Sequence, residues 1–527
     1  MPSAVSLAWS EFQLPSFRGS CFNERMIRLP LAPLIVAVMA AALSAAEPGI
    51  KAGFAERDIT PEIGMEQPGG YGKAFHRALH DPCKVRVALF DDGRRKVVLV
   101  GLDSLIVPRS VVLEARAAIQ KAWGIPGDAV MIGASHSHSS GPVGMVLPGQ
   151  FDGASDEVKR LAYEESSMAN AKYLALLTRQ IVDGVGAADA ARVPAQLGFG
   201  YGHEDKVSFN RRLRMKNGQS WSHPGALNPD IVDYAGPIDP QVGVIGAWDL
   251  DGKLIGTVVN FSCHATTSPG GISANWPYYM ERTMQGALGT SAPVVFLQGA
   301  CGDVTQVDNR SPYVRPTGEA WAQLVGGRVG AEAVKVLLAM PRGTAIPLDV
   351  RQRTWTIKRR RPSAEHLARA HEVIAKGKPK GGDTTDWLFA KELVMLEYMI
   401  EVEPAVEVEV QAIQVGPAVC VSNPAEYFAA YGLQIKQQSP FAFTFPVELA
   451  NGCVGYVPTE EAFSPAGGGY ETRLTAYSNL ETSAGRQFAE TGIKLAKDMK
   501  PAAAPDFKKL PAPGTPWRYG NVPPQVD

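Results

Sequence analysis

Cysteine is scarce in this chain and never paired as CxxC, net charge is almost absent, and no apolar run is long enough to cross a membrane. Each absence removes a class of protein. Of six cysteines, Cys21 falls in the first 46 residues, and Cys83, Cys263, Cys301, Cys420 and Cys453 are far apart, which excludes a four-cysteine zinc site. In an oxidising compartment one or two disulfides could form among these five, with a thiol left over. A formal net charge of −1 provides no basic face for nucleic acid. From Met26 the sequence reads "MIRLPLAPLIVAVMAAALSAAEPG", whose apolar stretch of about 14 residues falls short of the roughly 20 that a membrane helix needs.

That stretch has instead the three parts of a secretory signal: Arg28, the apolar run, then Ser44 and Ala46 as small residues before Glu47. Residues 1–46 therefore read as a leader starting at Met26, and the lack of a following cysteine argues against a lipoprotein anchor. With 45% hydrophobic residues and no repeat or clean linker, residues 47–500 read as one large mixed α/β (α+β) domain of β-sheets flanked by helices. Residues 501–527 ("PAAAPDFKKLPAPGTP…") read as a Pro-rich surface tail.

Within the domain, "KVRVALF", "DDG" and "KVVLVGLD" predict a hairpin, and "RSVVLEARAAIQKAWG" a helix closed by Gly124. "AVMIGASHSHSSGP", "LIGTVVNFSCHATT" and "APVVFLQGACGDVTQ" are apolar strands that run out into polar turns. "ANWPYYMERTMQGAL" opens a helix with Pro277 in its first turn. Residues 363–376 and 385–400 predict amphipathic helices, with the basic runs "KRRRP" and "KGKPKGGD" as solvated edges. "AVEVEVQAIQVGPAVCVSNP" predicts alternating strands and "EYFAAYGLQIKQ" a helix.

The chemistry gathers at the strand ends, where ligands of α/β proteins are often held. In extended chain His136 and His138 would point the same way, so both imidazoles could face one cavity. His264 ends another apolar strand. Glu426 stands at the opening of a predicted helix, where a first-turn carboxylate is also simply stabilising. In "GACGDVTQ", Thr305 offers a hydroxyl beside Asp303, but no GxSxG elbow or SxxK surrounds it, so a conventional serine hydrolase is not indicated. Arg211 of "SFNRRLRM" is either a surface cation or a fixed charge for a developing oxyanion.

In their order along the chain, "AERDITPEIG", "SHSHSSGP", "FNRR", "NFSCHATT", "ISANWPYYMERTM", "GACGDVTQ", "NPAE" and "GYVPTEEAF" resemble the motif series of the neutral/alkaline (non-lysosomal) ceramidase family, over roughly residues 50–475. The resemblance implies the catalytic-domain fold of that family and one catalytic Zn2+ held by His136, His264, Glu426 and Tyr456. It implies His138 as acid/base or hydrogen-bond donor, and Arg211 and Tyr470 as active-site residues. Thr305 falls where the family usually carries serine, as a stabiliser or a nucleophile. The implied substrate is ceramide or a related N-acyl lipid, cleaved to a fatty acid and an amine, with a membrane-facing rim to the site. The sequence departs from the family at "QVDNR" after Thr305, at Asn275 and Tyr278 where many members have Asp and Gly, and at the insert "SPAGGG". No C-terminal immunoglobulin-like domain is expected. A zinc hydrolase for another N-acyl or ester substrate, or a secreted binding protein on the same scaffold, are the alternative readings. The oligomeric state is open.

Overall fold

The computed structural model describes residues 49–512, 514–520 and 522–527; the expected leader and Cys21 lie outside them. Alternating apolar residues form the expected hairpin: Lys84–Asp91 pairs antiparallel with Lys96–Leu102 across a turn in which Gly93 has φ +80°. These strands belong to an eight-stranded sheet ordered Val294–Gln298, Leu254–Phe261, Gln241–Asp249, Val193–His203, Lys51–Asp58, Lys84–Asp91, Lys96–Leu102, Val130–Ala134. The two edge strands run parallel to their neighbours and the other pairs are antiparallel.

The sheet curls until Val294–Gln298 packs over Lys84–Asp91 and Lys96–Leu102. Contact is so close that a Cβ on Gly101 would lie 2.4 Å from Phe296 O, which only glycine accommodates. The curl brings together the ends of Val130–Ala134 and Leu254–Phe261, which stand far apart in the strand order. Ser137 forms a bridge with Ala265, and His138 N donates to Ala265 O at 3.3 Å. The two histidine-bearing segments are thus laid side by side.

A second, four-stranded sheet is ordered Leu348–Lys358, Ala405–Val415, Ala418–Ser422, Phe443–Val447. It joins the first through Asn451, whose Oδ1 accepts from Ile132 N (3.0 Å) and whose N donates to Ile132 O (2.8 Å). Helices Arg109–Trp123 and Ala171–Ala190 bury Val112, Ile119, Leu177 and Ile181 in the main core. Gly124 ends the first of them with φ 66°, and Pro277 occupies the first turn of Trp276–Leu288, both as expected. Helices Ala364–Ala375 and Thr385–Val402 form a separate pair with its own apolar cluster.

Three expectations are corrected. Glu426 does not open a helix: Glu426–Tyr427 is a two-residue strand, and the helix runs Ala429–Gln438. Their amides are claimed by tertiary partners first, Glu426 N by Gly455 O (3.0 Å) and Tyr427 N by Glu448 Oε2 (2.8 Å), while Asp303 Oδ1 caps Ala429 N (2.8 Å). "KRRRP" is not a solvated helix edge: Arg360 donates to the carbonyls of Leu480 (2.9 Å), Ser478 and Thr472 (both 3.3 Å), and Arg359 to Asn479 Oδ1 (2.7 Å). Finally, among the described residues Cys83, Cys263, Cys301, Cys420 and Cys453 form no disulfide with one another.

Candidate metal centre

His136 follows the edge strand Val130–Ala134, and its backbone is not extended but left-handed, φ +63°. The kink, not a strand repeat, turns its ring toward that of His138: the centroids are 4.7 Å apart at 85°, and the two Nε2 atoms 3.2 Å apart. His264, one bridge away, brings its ring centroid to 4.5 Å from that of His136. Ring nitrogens of His136, His138 and His264 all lie within 4.8 Å of one another. Glu426 and Tyr456 arrive together because Glu426–Tyr427 pairs in parallel with Tyr456–Val457, with Glu426 opposite Tyr456.

The hydrogen bonds behind these rings decide what the front can do. His136 Nδ1 faces Leu105 O (3.0 Å), and His264 Nδ1 faces the carbonyls of Cys301 (2.8 Å) and Val304 (3.0 Å). Carbonyls only accept, so both rings carry their proton on Nδ1 and present an Nε2 lone pair forward. Glu426 Oε2 lies 3.2 Å from each of these Nε2 atoms, is buried, and has no hydrogen-bond partner. The three lone pairs converge; Arg211 Nη1 reaches His264 Nε2 (3.1 Å), but Glu426 Oε2, among the described residues, is left without a donor. The donor set, two neutral imidazoles and a carboxylate with a phenol nearby, suits a divalent metal ion.

The charges agree. Burial alone would raise the Glu426 carboxyl, but His136 and His264 outweigh it and hold it well below the usual range. Burial, helped by Arg211 and His136, pushes His264 down to about 3. Burial, with His136 and His264 adding, sends His138 well below its ordinary value. Burial opposes protonation of His136 as well, yet the Glu426 carboxylate prevails there and raises it.

His138 differs from the other two in what supports it. Its Nδ1 meets no backbone carbonyl; instead Gly69, at φ +106°, presses so close that a Cβ there would lie 2.3 Å from that atom. Arg211 is buried, not a surface cation. Its Nε donates to Glu471 Oε1 (2.7 Å), its Nη2 to Gly302 O (2.7 Å), and its Nη1 reaches His264 Nε2 (3.1 Å). Its guanidinium also lies over the rings of Tyr470 (5.0 Å) and Tyr456 (5.4 Å), whose hydroxyls meet at 3.2 Å. Thr305 is buried beside Val304, but its hydroxyl donates to Gln306 Oε1 (3.1 Å) and, among the described residues, forms no hydrogen bond to this cluster. Asp303 accepts from Ala429 N and Asn210 Nδ2 and so builds the scaffold.

A cavity of about 100 Å³ opens onto the cluster, lined by His136, His138, Glu426, Tyr456 and Tyr470, with Gly69–Tyr71, Leu105, Met145 and Tyr477. Sequence reasoning missed Tyr477, whose hydroxyl donates to Glu426 Oε1 (2.8 Å), and Glu471, which anchors Arg211. It also missed Glu448, whose carboxylate accepts from Cys301 N (2.9 Å) and Tyr427 N (2.8 Å) and so ties the His264 and Glu426 segments together. Tyr477 stands 21 residues past Tyr456 with no motif spacing to announce it.

No family model matches the chain. The curated neutral ceramidase of Pseudomonas aeruginosa is 28% identical over 223 residues, 41% of this chain and 30% of that relative's own length. The crystal structure of neutral ceramidase from Pseudomonas aeruginosa superposes with a TM-score of 0.62 at 19% identity, over 88% of this chain and 77% of that one. A second structure, a ceramidase complexed with C2, gives 0.60 at 18% identity, over 87% and 77%. The chain shares the fold of these two ceramidase structures. Its mixed α/β fold is the neutral ceramidase fold. Tyr278, one of the departures from the family pattern, packs edge-on to Tyr279 and is not among the residues lining the metal cavity. Asn275 caps Trp276–Leu288 at φ 68°, its Oδ1 accepting from Thr267 N (2.8 Å).

Proposed function

We propose that this chain is a secreted zinc-dependent amide hydrolase that cleaves the N-acyl bond of ceramide or a related N-acyl lipid. The observation that carries the reading is the unpartnered Glu426 Oε2 facing two imidazole lone pairs whose tautomers are fixed from behind. His136, His264 and Glu426, with Tyr456 beside them, would hold the ion; zinc there supplies Lewis acidity toward the amide carbonyl and eases water ionisation.

The protein's own groups do the rest. His138, kept neutral by burial and by its two imidazole neighbours, takes a proton from the attacking water at Nε2 and returns it to the amide nitrogen, after which the C–N bond breaks. Arg211, charged and anchored by Glu471, and the Tyr470 hydroxyl beside Tyr456 supply donors for the oxyanion of the tetrahedral intermediate. Thr305 has its hydroxyl engaged with Gln306 and does not line the metal cavity, so it is given no nucleophilic role. The signal-like leader at residues 26–46 supports export, and no helix among the described residues is long and apolar enough to cross a membrane.

Metal analysis and an N-acyl amide panel test the reading with two variants. His136→Ala should lose both zinc and turnover; His138→Ala should keep the metal and lose turnover by roughly 10²–10⁴-fold. Full activity in both variants, or turnover untouched by a chelator, would refute it.

A further inference from the structure

The metal cavity, about 100 Å³, is well below the roughly 300 Å³ at which small-molecule pockets begin, so it seats a reacting amide but no long chain. A second cavity of about 600 Å³ lies between helices Ala364–Ala375 and Thr385–Val402, lined by the apolar Ala370, Val373, Ala390, Leu393 and Leu474 and by the charged or titratable His366, Arg369, Asp386 and Arg473. One layer of side chains divides the two. The short turn Tyr470–Thr472 puts Tyr470 in the metal cavity and Thr472 in the helical cleft. Tyr71 lines the metal cavity and Phe389 the cleft, and their rings are 5.6 Å apart.

Gly70 and Gly72 flank Tyr71 with nothing within 4 Å of a Cβ at either, so the loop has room, while Tyr71 O is pinned by Lys391 Nζ at 2.6 Å. On the cleft side, the Arg473 guanidinium lies 3.9 Å from the Phe389 ring centroid.

We propose that the cleft between these two helices receives the acyl chain of the N-acyl substrate, which enters past Tyr71 and Phe389 while its amide remains at the metal centre. The inference rests on the amide-hydrolase reading, names the chain-binding part of that site, and places chain-length specificity in residues outside the catalytic cluster.

Val373 is half-buried and faces the cleft, so Val373→Trp fills the cleft without touching the metal cavity. N-acetyl, N-octanoyl and N-palmitoyl forms of one sphingoid base are the probes. Val373→Trp should cut kcat/KM for the palmitoyl form by at least about tenfold, through KM, and leave the acetyl form unchanged, because lost chain burial is felt per methylene. Phe389→Ala should narrow the difference between long and short chains by widening the path. Equal effects of Val373→Trp on all three lengths, or none, would overturn the proposal. If the wild type cleaves none of the three, the hydrolase reading fails on its own. Calorimetric titration with the palmitoyl amide then decides the cleft: affinity lost in Val373→Trp supports it, and unchanged affinity overturns it.

Discussion

Glu426 illustrates how one side chain can be read only with its neighbours. Its Oε2 faces two imidazoles and its Oε1 accepts from Tyr477, so the hydroxyl fixes which oxygen points forward. Tyr477→Phe should therefore weaken zinc binding by roughly 10–100-fold, measured by competition with a chromogenic chelator, while the fold stays intact; unaltered affinity would remove Tyr477 from the site. Glu448 makes a different kind of prediction. Burial pushes its carboxyl up to about 8 from an ordinary 4.5. An unfolded chain releases that proton near 4.5 and the folded one keeps it to about 8, so the folded state binds more protons in that window and stability falls as pH rises through it. Glu448→Gln, neutral throughout, should show a flatter Tm across the same range; parallel Tm curves for the two proteins would contradict this. The histidines and Glu426 were legible as motif residues. Tyr477, Glu471 and Glu448 were not, because their roles exist only through contacts between segments well separated in the chain.

Among the elements, periodicity was a good guide wherever local burial decides conformation. The hairpin, the helix ended by Gly124 and the helix opened by Pro277 all stand where apolar spacing and capping residues put them. It failed where tertiary hydrogen bonds arrive first. Glu426–Tyr427 is a strand because Gly455 and Glu448 take its amides, and His136 leaves the extended conformation altogether. The basic run at 358–361 likewise looked like surface charge but holds a loop. Burial lowers Arg360 to about 10, and the guanidinium serves three carbonyls of the 472–480 stretch that follows Tyr470 and contains Tyr477. Arg360→Ala should cost about 3 kcal/mol of stability and reduce kcat more than it changes zinc content. A variant that loses neither Tm nor turnover would show that the loop holds itself.

Over the whole molecule, the candidate ligands come from four segments between residues 136 and 456, and the curled sheet and the Asn451 junction bring them together. An ion bound by all four is lost only when the two sheets part, so its binding free energy adds to folding. Stripping the metal with dipicolinate should lower Tm, with stabilisation of about 4 kcal/mol when free zinc exceeds its Kd a thousandfold; re-addition should restore it. A Tm indifferent to chelation would mean the ion does not bridge the sheets.

The five sulfhydryls, none bonded to another, have a practical consequence. Four are sealed in the interior and Cys453 is only partly accessible, so a thiol-directed dye finds little to react with while the chain stays folded. Each modification then dates an opening event at a known place, from Cys83, just before a strand of the larger sheet, to Cys420 within the smaller. The protein carries its own set of clocks for measuring which half comes apart first.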